Sequence, residues 1–382
     1  MQTRLVVLAL EVGPFLFQNI LSTAQELPIS VHEQKMESSG RVQVAPLTFT
    51  NVTAAANIVT ESSGTHGASI ADLNGDGYPE IYICSQEDNK IPSANYMGNF
   101  LFKNNGNGTF SRIDASAGVQ DIPSWAHASI FFDMDRDGDF DLAVGHGLDG
   151  LSRRGLFRNN GNLTFTQVDA TAGFQNSGDI GTRSIIAGDL NGDRLMDIHF
   201  SSFNGFDTEG YLGDGAGHFT RHFGLNDNPR SIQGLTAGDL DGDGDLDVMM
   251  GNFTSNDGVG YYRNNGSGTF TRVLGSGLPQ TGSSFTAINL ADVDADGDLD
   301  VLLVGESLAA ASLYLNNGSG TSFTQVQQMP LQTGCRGGCG GDNGAFGDFD
   351  NDGDPDLFLP GSPQKIWLNN GSGSFTAVND AS

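Results

Sequence analysis

Six times in this chain an aspartate opens a nine-residue stretch that is acidic at positions 1, 5 and 9 and acidic or Asn at position 3. One copy is Asp239-Leu240-Asp241-Gly242-Asp243-Gly244-Asp245-Leu246-Asp247, with five carboxylates at alternate positions. Like charges this close repel one another unless a cation sits among them. The copies begin at Asp72, Asp133, Asp189, Asp239, Asp292 and Asp348, at separations of 61, 56, 50, 53 and 56 residues. That period is too long for a leucine-rich or ankyrin unit and suits a four-stranded propeller blade.

Each unit has the same order. A short apolar strand such as Leu235-Thr236-Ala237 enters the acidic loop, and a second, Leu246-Asp247-Val248-Met249-Met250, leaves it. After a variable segment, a third strand ends in Asn-Asn-Gly, as in Tyr261 to Gly266, and a fourth starts at a Phe, as in Phe270-Thr271-Arg272-Val273. Asn-Gly between two such strands predicts a hairpin, because its turn needs positive φ. Two aromatic columns follow: Phe102, Phe157, Tyr211, Tyr262, Tyr314 and Trp367 in strand three, and Phe110, Phe165, Phe219, Phe270, Phe323 and Phe375 opening strand four. Aromatics at one blade position pack between neighbouring sheets. The fold class expected is all-β, a β-propeller of six blades. Leu47 to Val52 resembles a fourth strand with no blade before it; it either completes the last blade and closes the ring, the arrangement favoured, or starts an incomplete seventh blade.

Alternate spacing lets side chains at positions 1, 3 and 5 converge while the chain turns, position 7 adds a main-chain carbonyl, and position 9 returns a carboxylate. An oxygen cage of this kind suits a hard cation, Ca2+ before Mg2+. The expected ligands are Asp72, Asn74, Asp76, Tyr78 and Glu80 in the first loop, and Asp133, Asp135, Asp137, Asp139 and Asp141 in the second. Asp189, Asn191, Asp193, Leu195 and Asp197 form the third, and Asp239, Asp241, Asp243, Asp245 and Asp247 the fourth. Asp292, Asp294, Asp296, Asp298 and Asp300 form the fifth, and Asp348, Asp350, Asp352, Asp354 and Asp356 the sixth, for about six Ca2+ sites. Gly relieves the turn at position 6 in five loops, whereas the third has Arg194. An EF-hand is excluded: position 12 is Ile83 in the first loop and Met250 in the fourth, where that motif needs a Glu between two helices.

Strand, D-x-[DN]-x-D-G-x-x-[DE], strand, and N-N-G-x-G-x-F together resemble the FG-GAP/VCBS repeat family, over residues 47–380. The resemblance implies a calcium-binding propeller like the head of integrin α chains. That fold hosts adhesion proteins, lectins and some polysaccharide-cleaving enzymes, so it leaves function open. The reading favoured is a secreted or cell-surface module that binds a protein or glycan, with calcium mainly structural and no enzymatic activity. The alternative is a polysaccharide lyase or hydrolase on the same scaffold. No G-x-S-x-G, H-E-x-x-H or phosphate-cradling loop occurs.

The formal net charge of -28 argues against nucleic acid as a partner. Of 46 acidic residues, 26 lie in the six loops. Arg4, the apolar run Leu5 to Leu10 and small residues at Ser22-Thr23-Ala24 read as a signal peptide over 1–24, followed by a linker over 25–45 and a single propeller domain over 46–382. No later stretch is long and apolar enough for a membrane span. Cys335 and Cys339 suggest a local disulfide, and Cys84 a buried thiol. Six residues before each loop stand His66, His127, Arg183, Gln233, Thr286 and Asp342, a polar ring around the axis. Among these, His66, His127 and Asp342 are the candidate ligand site, with Trp125 beside it.

Fewer charges and a stiffer turn make 189–197 the weakest loop. Asp189→Ala should therefore lower the melting temperature less than Asp239→Ala; equal losses in thermal melts would contradict this.

Overall fold

The computed structural model describes residues 51–59, 65–85, 98–121, 125–147, 154–174, 181–203, 208–225, 231–252, 258–281, 284–305, 310–330, 344–359 and 365–378. They form six four-stranded antiparallel sheets, each made of four consecutive strands: a six-bladed propeller. Blade 1 is β1 (Thr65–Ala71), β2 (Glu80–Ser85), β3 (Phe100–Asn104) and β4 (Phe110–Arg112). Blade 2 is β5 (Ala126–Phe132), β6 (Asp141–His146), β7 (Arg154–Asn159) and β8 (Phe165–Gln167). Blade 3 is β9 (Ile185–Gly188), β10 (Asp197–Phe200), β11 (Glu209–Gly213) and β12 (Phe219–Phe223). Blade 4 is β13 (Ile232–Gly238), β14 (Asp247–Asn252), β15 (Val259–Asn264) and β16 (Phe270–Arg272). Blade 5 is β17 (Ala287–Ala291), β18 (Asp300–Val304), β19 (Ala310–Asn316) and β20 (Phe323–Pro330). Blade 6 is β21 (Ala345–Gly347), β22 (Asp356–Leu359), β23 (Lys365–Asn369) and β24 (Phe375–Ala377). The one helix among the described residues is the single turn Asp114–Ala117.

The first strands of successive blades lie side by side, β1 through β21, and so form the innermost layer. Second strands carry unbroken apolar runs, such as Ile81 to Cys84 and Val301 to Val304, because both of their faces are covered. Outer strands are short and alternate, as in Phe165-Thr166-Gln167, where only the Phe is buried. The aromatic columns fill the spaces between blades: Phe157 and Phe165 pack with Tyr82 and Leu101 of blade 1, and Trp367 and Phe375 with Leu302 and Leu313 of blade 5. Cys84 is buried and unpaired, its thiol pushed up to about 12 by burial.

The first Asn of the hairpin motif ties neighbouring blades together. The side-chain amide of Asn159 donates to the carbonyl of Leu73, and that of Asn264 to Leu190. Asn316 does the same to Leu240, and Asn369 to Val293. In each case the acceptor is position 2 of the preceding blade's acidic loop. Blade 3 has Gly213 here and lacks that amide. A second tie joins the link after one blade to the outer strand of the next: Phe219 N–H donates to Ala172 O at 2.7 Å, and Phe323 N–H to Ser276 O at 2.6 Å. Gly173 and Gly277 follow these carbonyls at φ 89°, where a Cβ would stand 2.3 and 2.2 Å from the Phe oxygen. Only glycine fits there.

The expected ring closure takes a different form. The last blade supplies its own outer strand, β24. The described N-terminal residues dock instead on blade 1, where Phe110 N–H donates to Ala56 O at 2.8 Å and Ala56 and Ile58 pack on Ile81, Phe100 and Phe102. The segment thus acts as the link that precedes a blade. Leu47 to Thr50, the signal and linker residues, and Cys335 and Cys339 lie outside the described residues.

Asn316 donates to the buried carbonyl of Leu240 and the half-buried one of Leu299, at 2.8 and 3.1 Å. Asn316→Ala should cost about 1–3 kcal/mol, the range for orphaned buried groups. The exposed neighbour change Asn317→Ala should cost much less in the same urea titration.

Candidate functional site

The six loops share one hydrogen-bond plan. The position 1 carboxylate accepts the N–H of position 6, as from Gly77 to Asp72 at 2.8 Å, Gly244 to Asp239 at 3.0 Å and Gly353 to Asp348 at 3.1 Å. The position 5 carboxylate accepts the N–H of position 7, as from Tyr78 to Asp76 at 2.9 Å and Asp298 to Asp296 at 3.0 Å. Position 6 has positive φ throughout, including Arg194 at 66°. Arg194 is therefore held in a conformation that costs a non-glycine residue free energy. At position 7 the side chain turns toward the c–d hairpin, the turn between the third and fourth strands of a blade: a Cβ on Gly106 would meet the Tyr78 ring at 2.9 Å, and one on Gly215 would meet Leu195 at 2.8 Å.

Position 9 has a role beyond the expected ligand. One oxygen of Asp247 accepts Leu240 N–H at 3.2 Å, closing the loop, and the other accepts Asn264 N–H at 2.8 Å, holding the third strand. Asp141, Asp197, Asp300 and Asp356 make the same pair of contacts. All five are buried.

Position 3 distinguishes the loops. Asn74 and Asn191 each donate from the side-chain amide to the position 5 carboxylate, Asp76 or Asp193, at 3.0 Å. The two loops carry their own donor where the others have a fourth or fifth charge. Asp241 pairs with the guanidinium of Arg263. In contrast, Oδ1 of Asp135, Asp294 and Asp350 is buried without a hydrogen-bond partner, as is Oδ1 of Asp133. Ligand atoms of Asp133, Asp135 and Asp141 lie within 4.8 Å of one another, as do those of Asp239, Asp241 and Asp243. Asp292, Asp294 and Asp300, and Asp348, Asp350 and Asp356, form the same kind of group. Buried carboxylate oxygens without donors are costly, and a divalent cation would satisfy several at once. The donor set therefore fits Ca2+.

Electrostatics agree. Burial first, then neighbouring carboxylates, pushes Asp141 up to about 7 and Asp300 and Asp350 up to about 6. Burial likewise raises Asp197 and Asp247 to about 6. These groups hold a proton more tightly folded than unfolded, so their contribution is full near pH 4 and is lost as pH rises through about 6 to 7. Buried His127 and His199, both lowered by burial, oppose this below pH 6.5, but they are fewer.

The loops and c–d hairpins occupy one end of the strands. At the other end, near the axis, lies the polar ring. His66 and His127 come together, with ring centroids 4.2 Å apart. The inner strands are bulged there: register shifts between Thr65 and Ala68, between Ala126 and Ala128, and between Ile232 and Gly234. His66, His127 and Gln233 are the residues within those shifts. Arg183 sits just before β9, its N–H and that of Ser184 donating to Ser201 Oγ at 3.0 and 2.8 Å. Asp342, the third member expected, lies outside the described residues.

Two groups went unseen in the sequence. His146 Nε2 lies 2.5 Å from Asp121 Oδ2, with both side chains buried. Between blades 2 and 3, Glu209 accepts from Arg154 at 2.6 Å, Arg221 at 3.2 Å and the Tyr211 hydroxyl at 2.8 Å. A charged residue at the head of a third strand, Arg154 or Glu209, is the signal the sequence offers.

Comparison with known proteins agrees with the fold. Residues 252–303 and 292–359 match the FG-GAP-like repeat. The chain is 28% identical over 167 residues to Cartilage acidic protein 1 of Xenopus tropicalis, which is 44% of this chain and 24% of that protein. For the Mus musculus protein the figures are 29% over 157 residues, 41% and 22%. The match thus spans about a quarter of the length of these relatives. An Agrocybe aegerita lectin, described as recognising non-reducing terminal N-acetylglucosamine, superposes with a TM-score of 0.58 at 20% identity, covering 84% of this chain and 81% of its own.

In EDTA the melting temperature should rise as pH falls from 7.5 to 5, and saturating calcium should flatten or invert that trend. A metal-free protein that melts lower at pH 5 would contradict it.

Proposed function

We propose that this propeller of FG-GAP-like repeats is a calcium-stabilised binding module, secreted or at the cell surface, whose ligand is a glycan or a protein. The observation that carries the calcium reading is the set of partnerless buried oxygens on Asp133, Asp135, Asp294 and Asp350, inside converging carboxylate groups. Calcium would be held by positions 1, 3 and 5, with position 9 closing the site, and would offset the mutual repulsion of these carboxylates. Its role is structural: the position 9 carboxylate that helps hold the ion also holds the third strand, so ion and blade stand together.

Loops 133–141, 239–247, 292–300 and 348–356 are the tighter sites in this reading. Loops 72–80 and 189–197, braced by Asn74 and Asn191, are weaker. Ligand binding belongs to the opposite end, where the strands present His66, His127, Arg183 and Gln233 and where no metal group lies among the described residues. The lectin of the same fold supports a glycan as ligand, since it recognises a sugar on this architecture. No helix among the described residues is long and apolar enough to cross a membrane. We read the module as non-enzymatic.

Calcium titration by calorimetry should resolve a tight class of about four sites and a weaker class of about two. Chelation should lower the melting temperature by at least about 5 °C, as ligand linkage of a few kcal/mol requires. An unchanged melt in EDTA would sink the structural role. Binding on a glycan array without release of reducing ends supports the module, whereas release from any polymer would replace it with a polysaccharide-cleaving enzyme.

A further inference from the structure

The inner wall at the end away from the acidic loops is built differently from the rest of the molecule. Two successive innermost strands and the residues that lead into the third bring His66, His127 and Arg183 to one level, and the next strand adds Gln233. Three of these four sit in or beside irregular backbone. The bulges at His66, His127 and Gln233 place an extra residue against the partner strand, which re-aims side chains out of the sheet's alternation. His127 is 3% exposed, yet its Nδ1 has no hydrogen-bond partner, and Gln233 is 6% exposed with its Oε1 likewise unpartnered. A buried polar atom without a partner calls for an explanation such as an absent ligand.

Gly147 makes room for this arrangement. A Cβ there would stand 2.4 Å from His127 Nε2, so the imidazole occupies the space of a side chain. Burial, then Arg183, His66 and His146, hold His127 well below the usual histidine range, so it is a neutral hydrogen-bonding group. Arg183, half-buried and stacked 4.2 Å over the Phe203 ring, supplies the positive charge. Beside the neutral His127 and Gln233, the guanidinium of Arg183 favours an anion as ligand, and the chain's net charge of -28 disfavours a dianion more than a monoanion. A planar fork beside imidazole and amide groups matches a carboxylate flanked by hydroxyls.

We propose that His66, His127, Arg183 and Gln233 form a site for the carboxylate and adjoining hydroxyls of an acidic sugar. This rests on the glycan-binding reading and narrows it to a uronic-acid-type residue at the axis. Arg183 grips the carboxylate, His66 and His127 border it, and Gln233 receives a sugar hydroxyl.

The test titrates the calcium-loaded full chain with a short galacturonate oligosaccharide, its neutral galactose counterpart and sodium acetate. Imidazole NMR signals of His66 and His127 and calorimetric affinity are the readouts. Both signals should move with the galacturonide and not with the neutral sugar, and acetate should bind far more weakly. Arg183→Gln should weaken binding about tenfold or more, the loss of one charge-assisted contact, while Arg183→Lys retains part of it. Gly147→Ala, which pushes on His127, should also weaken binding, with unchanged melting curves showing that both proteins are folded. Galacturonide binding that leaves both histidine signals still, or that survives Arg183→Gln in a folded protein, overturns this site while leaving the glycan module standing. Equal response to the neutral sugar overturns the anion selectivity, equal response to acetate overturns the sugar, and an acidic peptide acting where the galacturonide is inert transfers the site to a protein ligand. No binding of any glycan, here or on the array, removes the broader reading as well.

Discussion

In blades 2 to 6 a buried aspartate that accepts one N–H from each oxygen holds the blade together. Asp247 joins Leu240, inside the loop between the first two strands, to Asn264, at the end of the third. Three segments of one blade meet on one side chain. Hydrogen bonds to an ionised acceptor are stronger than neutral ones, but burial of the charge works against them. At Asp141 burial outweighs them and pushes the carboxyl up to about 7. The main brace of each of these blades is thus a carboxylate that also lies beside the other acids of its loop, so the loop and the third strand are held at one point.

Hydrophobic packing cannot replace that brace. The aromatic columns fill the gaps between sheets, yet they are non-directional and would tolerate several blade orientations. Direction comes from the amides of Asn159, Asn264, Asn316 and Asn369, each aimed at one carbonyl of the preceding loop. Close approaches at Gly173 and Gly277 fix the other edge.

Much of this was legible in the sequence, and the reason is local. Acidic spacing, Asn-Gly turns and strand-four phenylalanines are short-range signals, because a turn is specified by the residues within it. The second function of Asp247 was not legible, since it depends on burial that only neighbouring strands create. Nor was the pairing of His146 with Asp121, or of Arg154 with Glu209, whose partners are brought together by the ring and not by the repeat. Phe49-Thr50-Asn51-Val52 copies the pattern of a fourth strand, but the last blade already has its own in β24. The part that docks is the link after it, Thr53 to Ile58, which resembles Asp114 to Val119 and grips Phe110 in the same manner. The polar ring was legible as a row of residues, but the bulges that turn His127 and Gln233 out of register were not.

The four asparagine ties all run the same way round, from blades 2, 4, 5 and 6 back to the loop of the blade before. The ring therefore has a sense of rotation in its energetics as well as its chain. Removing a blade from the C-terminal end would strip a donor and leave a loop carbonyl, such as that of Val293, open in the blade that remains. Removing one from the N-terminal end would instead take away the Leu73 carbonyl and leave the Asn159 amide with its bond to Phe140 in its own blade, and an intact loop. Wear at the two ends of this molecule is thus not equivalent: one exposes an acidic loop to loosening, and the other spares it.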